Sequence, residues 1–188
     1  MNIYDCFMYF DEDLLLDIRL NILNKYVSKF VISEATYTHN GNPKKLKFDI
    51  NNFKKFKDKI EYIVVDSVPP NILQINSDDG LEKKQQKLIL NGYARDNYQR
   101  NSLMAGIKDA KDNDIIIVSD LDEIPNLANL SFKHINNKII QFKQKMFYYK
   151  LNLYYPRFDW FGSKACKKKD LISPQWLRNI KSKKYSKL

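Results

Sequence analysis

The chain has 188 residues, 44% of them hydrophobic and 13% aromatic, which suits one domain with a sizeable core and excludes a disordered chain. No apolar run approaches the roughly 20 residues that cross a bilayer, and Met1-Asn2-Ile3-Tyr4-Asp5 lacks the regions of a signal peptide. A soluble, cytoplasmic protein is therefore expected, and the net charge of +10 makes the placement of basic residues the next question.

Residues 3–10 (Ile-Tyr-Asp-Cys-Phe-Met-Tyr-Phe) read as a buried strand closed by Asp11-Glu12-Asp13, acids that suit the positive end of a following helix. Cys6 lies in that apolar run and Cys166 far from it, which gives neither a metal spacing nor a disulfide framework; a buried thiol is the expectation. His39 and His134 are too few for a histidine metal site or a triad. Residues 14–23 follow as an amphipathic helix with Leu15, Ile18 and Ile22 on one face. A second strand covers 29–35, and the Gly41-Asn42-Pro43 turn comes after it. Residues 48–59 read as a short basic helix or loop, and 60–65 as a third strand stopped by Asp66 and Pro69-Pro70.

Residues 71–90 lack a clean period and are expected to form a long loop over a site. A helix is expected over 93–110, with Tyr98, Leu103, Ile107 and Ala110 on one face. The β-branched run Ile115-Ile116-Ile117-Val118 is the strongest strand signal. Segments 138–142 and 146–155 suggest antiparallel strands. The order of strands and helices in the first 120 residues predicts an α/β sheet, parallel at least in its middle.

The last 25 residues change character. Residues 164–188 carry nine Lys or Arg against Asp170 alone, a net +8, which leaves +2 for residues 1–163. The expected organisation is a domain over 1–163 and a basic tail over 164–188. Only Arg19, Arg95, Arg100, Arg157 and Arg178 are arginines among 32 basic residues, whereas phosphate-forking and base-reading surfaces favour arginine. Nucleic acid is disfavoured on this ground, and the tail suits a peripheral membrane contact.

The chemistry concentrates in Ser119-Asp120-Leu121-Asp122-Glu123-Ile124-Pro125, directly after the most buried-looking strand. Open α/β sheets bind ligands at the carboxyl ends of their strands. Asp120 and Asp122, two apart in an extended chain, would face one side. Two hard oxygen ligands suit Mg²⁺ or Mn²⁺, with a diphosphate completing the shell. A bare Asp-x-Asp is more often a simple cap, so the helix before it matters. Arg95 and Gln99 share a face there, beside Arg100, and suit a diphosphate or a sugar; a solvated face with Asp96 paired to Arg100 is the competing reading.

Five segments carry a resemblance in order: Tyr4-Asp5-Cys6-Phe7; Leu15-Leu16-Asp17-Ile18-Arg19-Leu20; Phe30-Val31-Ile32-Ser33-Glu34-Ala35-Thr36-Tyr37-Thr38-His39; Asn97-Tyr98-Gln99-Arg100-Asn101; and the acidic motif. Together they resemble glycosyltransferase family 17. The resemblance implies a GT-A-like fold, that is, a Rossmann-like nucleotide-diphospho-sugar transferase with an open, mostly parallel sheet, helices on both faces and C-terminal antiparallel strands. It also implies a UDP-sugar donor, UDP-N-acetylglucosamine in the characterised activity, a glycan or saccharide acceptor, a divalent cation and inversion. By the same resemblance Asp120 and Asp122 form the Asp-x-Asp motif, with Asp122 the more direct metal ligand and Asp120 a ribose or metal-shell contact. Gln99 and Arg100 become donor-side residues, and Glu34 and the Asp5 region line the nucleotide pocket. The family usually continues further, so a truncated, minimal or degenerate member is expected.

An inverting transferase needs a base for the acceptor hydroxyl. Glu123, beside the motif, and Asp159, after an aromatic strand, are the two candidates, and Trp160 reads either as a core residue or as a sugar platform. The rival functions are a basic binding module for nucleic acid or an anionic membrane, and a metal-dependent phosphohydrolase. The latter lacks a further His- or Asp-rich motif.

Overall fold

In the computed structural model, which describes residues 1–149, 152–181 and 186–187, the chain begins with β1 (Ile3–Met8), α1 (Asp13–Leu23) and β2 (Lys29–Ala35). A 3₁₀ run, Ile50–Lys59, leads into β3 (Ile60–Val65), and α2 (Leu81–Ser102) passes through a 3₁₀ turn, Leu103–Ile107, to β4 (Ile115–Ser119). The remainder comprises β5 (Ile139–Gln141), β6 (Gln144–Phe147), β7 (Tyr154–Trp160), β8 (Lys164–Lys167), α3 (Pro174–Asn179) and β9 (Ser186–Lys187).

Seven strands form one sheet in the order β3-β2-β1-β4-β8-β5-β9. β1 lies between β2 and β4 and is parallel to both, with Phe7 opposite Ile32 on one side and Ser119 on the other. β3 extends the parallel set, whereas β8 runs antiparallel to both β4 and β5. Strand alternation divides the core. Phe7, Ile115 and Ile117 pack with Leu16, Leu20 and Leu23 of α1 on one face. Cys6, Ile116 and Val118 pack with Leu103, Ile107 and Leu177 on the other. Helices therefore cover both faces of a mostly parallel sheet. Cys6 and Cys166 are buried free thiols, and burial pushes the Cys166 thiol up to about 12. No helix among the described residues is long and apolar enough to cross a membrane.

Four sequence expectations change. The buried face of α1 is Leu16, Arg19, Leu20 and Leu23, while Ile22 is 48% exposed; an ion pair between Arg19 and Asp5 draws the arginine inward and turns the helix with it. The helix expected to begin at 93 begins at Leu81, and its α-helical part ends at Ser102. Leu81, Ile89 and Leu90 are exposed, so the early turns show no apolar stripe to read. Their start is fixed instead by buried Asp79, which pairs with Lys83 at 2.8 Å and with Lys87. Of the segment expected as one strand over 146–155, Met146 and Phe147 belong to β6 and Tyr154 and Tyr155 to β7, an antiparallel pair that forms a separate two-stranded sheet, while 150 and 151 lie outside the described residues.

The largest correction concerns the basic tail. Its first residues are β8, an interior strand in which Ala165 and Cys166 have no exposure, and α3 buries Leu177. The boundary between 163 and 164 therefore falls inside the domain. Lys164 itself is 3% exposed, with Nζ donating to the carbonyls of Gly162 (3.3 Å) and Arg178 (2.8 Å). Burial, and then the charge of Arg178, push its amine down to about 8 from an ordinary 10.5. Between those values the unfolded chain holds a proton that the folded chain releases, so this group makes stability rise with pH. Lys164→Met should remove a gain of about 2 kcal/mol across that window, measured as the difference between wild-type and variant urea melts at pH 8 and 10.5.

Candidate functional site

The parallel strands β1, β2 and β4 end at one edge of the sheet, the edge at which open α/β folds bind ligands. The chain leaves β4 there into a turn in which the Glu123 amide donates to the Asp120 carbonyl at 3.1 Å. Asp120 and Asp122 are thus not two apart on an extended strand, yet both line the same cleft, of about 250 Å³.

Arg19 holds this turn from beneath. Its Nε and NH2 fork onto Asp5 at 2.8 and 2.6 Å, and NH2 also reaches Ser119 Oγ at 2.7 Å. NH1 donates to the carbonyls of Asp120, Leu121 and Glu123 at 3.0–3.1 Å. Arg19 and Asp5 have no exposure, so a charge-assisted pair inside the core fixes the backbone from which the acidic side chains project.

Above the turn the charges alternate. Asp120 accepts from Arg100 NH2 through Oδ1 (3.0 Å) and from Arg178 NH2 through Oδ2 (2.7 Å). Burial pushes its carboxyl up, but the hydrogen bond and charge of Arg178, with Arg100 behind them, hold it below the ordinary value. Glu123 accepts from the Asp120 amide through Oε2, and from Trp160 Nε1 (2.6 Å) and Arg178 NH2 (2.9 Å) through Oε1. Here burial and the neighbouring Asp120 charge prevail, and the carboxyl is raised. Gly162 lies against this group, where a Cβ would overlap Glu123 Oε1 and Trp160 Nε1. Asp122 is exposed and makes no hydrogen bond or ion pair among the described residues.

No three acids or histidines among the described residues form a metal cage. The donor set is one free carboxylate, Asp122, beside a second, Asp120, already held by two guanidiniums. That fits Mg²⁺ or Mn²⁺ of the kind bound through one or two carboxylates together with substrate phosphates.

The profile of glycosyltransferase family 17 matches residues 1–172. The chain belongs to that family. Among curated proteins, the β-1,4-mannosyl-glycoprotein 4-β-N-acetylglucosaminyltransferases of Homo sapiens and Rattus norvegicus are each 29% identical to it over 119 residues, and that of Mus musculus is 28% identical over the same length. Each match covers 59% of this chain and 19% of the relative, so the family 17 chain aligns with about a fifth of those proteins.

Within this family 17 fold the remaining sequence candidates divide. Gln99 lines the cleft, its Nε2 donating to the Ser33 carbonyl at 3.0 Å. Arg95 shares an adjoining recess with Gln99 and donates to the His39 carbonyl at 2.8 Å. Arg100 turns towards Asp120 and Gln175 instead. Asp96 lies 3.9 Å from Arg100 and faces both the cleft and His39.

Asp5 and Glu34 are placed away from the cleft. Asp5 is the buried partner of Arg19, and Glu34, also without exposure, accepts from Tyr62, the amides of Lys47 and Phe48, and Lys44. Both act as internal braces, so neither is part of the pocket wall expected of them. Asp159 is exposed on β7, paired with Lys143 at 2.8 Å, and borders a second cavity of about 440 Å³ with Trp160, Lys164 and Arg178. The structure therefore brings Glu123, but not Asp159, to the acidic turn. Arg19, Trp160 and Arg178 are the site residues whose contacts spacing could not supply: each reaches the motif from at least 37 residues away.

Proposed function

We propose that this family 17 chain is the donor-binding domain of an inverting glycosyltransferase with a GT-A-like arrangement. It takes UDP-N-acetylglucosamine in the cleft over the Asp120–Glu123 turn, together with Mn²⁺ or Mg²⁺, and passes the sugar to a glycan or saccharide acceptor. The observation that carries this reading is the acidic turn itself: at the carboxyl end of β4, braced by Arg19, with one carboxylate left free in an open cleft. Membership of the family supports glycosyl transfer, and the N-acetylglucosaminyltransferase relatives support N-acetylglucosamine as the sugar moved.

A divalent cation, when bound, would neutralise charge on the departing diphosphate. Asp122 is the residue to hold it. Asp120, kept ionised by Arg100 and Arg178, orients the ribose or the metal shell. Gln99 and Arg95 form the wall of α2 against which the donor rests. Glu123 is the better-placed base: three of the four lone-pair sites of its carboxylate are occupied, which leaves one. Its raised pKa also moves it towards the working pH of a base.

The test is release of UDP from a panel of UDP- and GDP-sugars, with and without Mn²⁺. Turnover of UDP-N-acetylglucosamine that requires the metal is expected. Donor binding indifferent to metal, or phosphate release from simple esters, would overturn the assignment. The rival reading as a basic binding module is weakened by the folding of its basic segment into β8 and α3.

A further inference from the structure

The hairpin formed by β6 and β7 is unlike the rest of the surface. Tyr149 is 99% exposed, and Phe147, Tyr148, Tyr154, Tyr155 and Phe158 are each between 38% and 49% exposed. Exposed aromatic clusters of this kind mark an interaction surface. We propose that this hairpin docks the domain on an anionic lipid surface.

Three features choose that occupant. The aromatic rings cover both sides of the ribbon. Phe147 and Tyr154 are register partners with ring centroids 5.6 Å apart, while Tyr155, one residue along β7 and so on the opposite side, has its ring 5.3 Å from that of Tyr148, just past the end of β6. A protein partner or a sugar ring stacked on one face would leave the other side in water. Immersion in a headgroup layer covers both.

The aromatic residues are also mostly tyrosines, whose apolar ring and polar hydroxyl match the boundary between headgroups and acyl chains. Finally, Lys145 and Arg157 of the two strands, with Lys143 just before β6, stand against Asp159, a net +2 over the described residues from 143 to 160, on a chain of net +10. Lys145 Nζ sits 5.6 Å from the Tyr154 ring centroid, which keeps a cation beside the aromatic surface. Basic residues flanking interfacial aromatics are attracted by anionic headgroups. The surface also leads to the site, because β7 ends in Trp160, whose indole holds Glu123.

The experiment is co-sedimentation of the full chain with phosphatidylcholine vesicles, with and without phosphatidylglycerol, at low and high salt. Binding to the anionic vesicles is expected, weakened by salt but not abolished. The pair Phe147→Ser with Tyr149→Ser should reduce vesicle affinity about tenfold or more at either salt. Lys145→Glu should reduce only the salt-sensitive part. Phe147, Tyr149 and Lys145 are exposed and the substitutions give up only contacts to the Tyr148 and Tyr154 rings, so thermal melts of the variants should stay within about 4 °C of wild type. The proposal is overturned if anionic vesicles are not bound, or if the paired variant binds them as wild type does. It is equally overturned if ultracentrifugation shows the hairpin instead joining two copies of the chain, with a dimer that the paired substitution dissolves.

Discussion

Replacing Arg19 by alanine should lower the free energy of unfolding by about 3–5 kcal/mol, out of a total of about 5–15 kcal/mol for a domain of this kind. The size follows from what the substitution leaves behind. Asp5 has no exposure and would remain as a buried carboxylate without its counter-ion, and the carbonyls of Asp120, Leu121 and Glu123 would lose the donor they share. Arg19→Lys should fall between, since an ammonium keeps the charge but cannot fork onto Asp5 while reaching three carbonyls. Urea melts of both variants measure this. In a double-mutant cycle, Asp5→Ala combined with Arg19→Met should cost less than the sum of the two single changes, because neither charge is then stranded. An Arg19→Ala protein within 1 kcal/mol of wild type would show that the turn is held by other contacts.

Arg19 also marks where reading the sequence stops. The strand over 115–118 was legible because four β-branched residues in a row have few other uses, and β1, β2 and β3 were legible from similar local composition. An arginine among leucines on a helix reads locally as solvated. Its burial is decided by Asp5, 14 residues earlier, and by carbonyls about a hundred residues later. Lys164 reads as part of a basic tail for the same reason. Nothing adjacent reveals that Ala165 and Cys166 sit between β4 and β5, or that the Arg178 carbonyl will receive the amine.

Its place after β4 and its company in the ordered set of segments mark out the acidic motif, but not its shape. Extended spacing predicts Asp120 and Asp122 on one side, whereas the hydrogen bond from the Glu123 amide to Asp120 closes a turn. Asp5 and Glu34 belong to that same set of segments, yet the structure gives them internal bracing duties. Residue identity carried the resemblance without revealing which side of the wall each residue serves.

That distinction separates the two acids of the motif experimentally. Asp122→Asn should reduce turnover of the preferred donor by at least about a hundredfold, the loss expected when a metal-ordering group is removed. It should leave stability within about 0.5 kcal/mol of wild type, because Asp122 is exposed and holds no other residue in place. Asp120→Asn should behave differently. It removes the counter-charge shared by Arg100 and Arg178, a cost of about 1 kcal/mol once solvent screening at this half-exposed carboxylate is allowed for. The loss is moderated because Arg178 keeps Glu123 and Arg100 keeps Asp96 nearby. Donor titration by calorimetry, with and without Mn²⁺, completes the comparison. Asp122→Asn should abolish the difference that the metal makes, while Asp120→Asn should weaken donor binding both with and without it. If the two variants gave the same stability and the same metal response, the division between a free metal-binding carboxylate and an arginine-clamped orienting one would be lost, and with it the role assigned to Arg178.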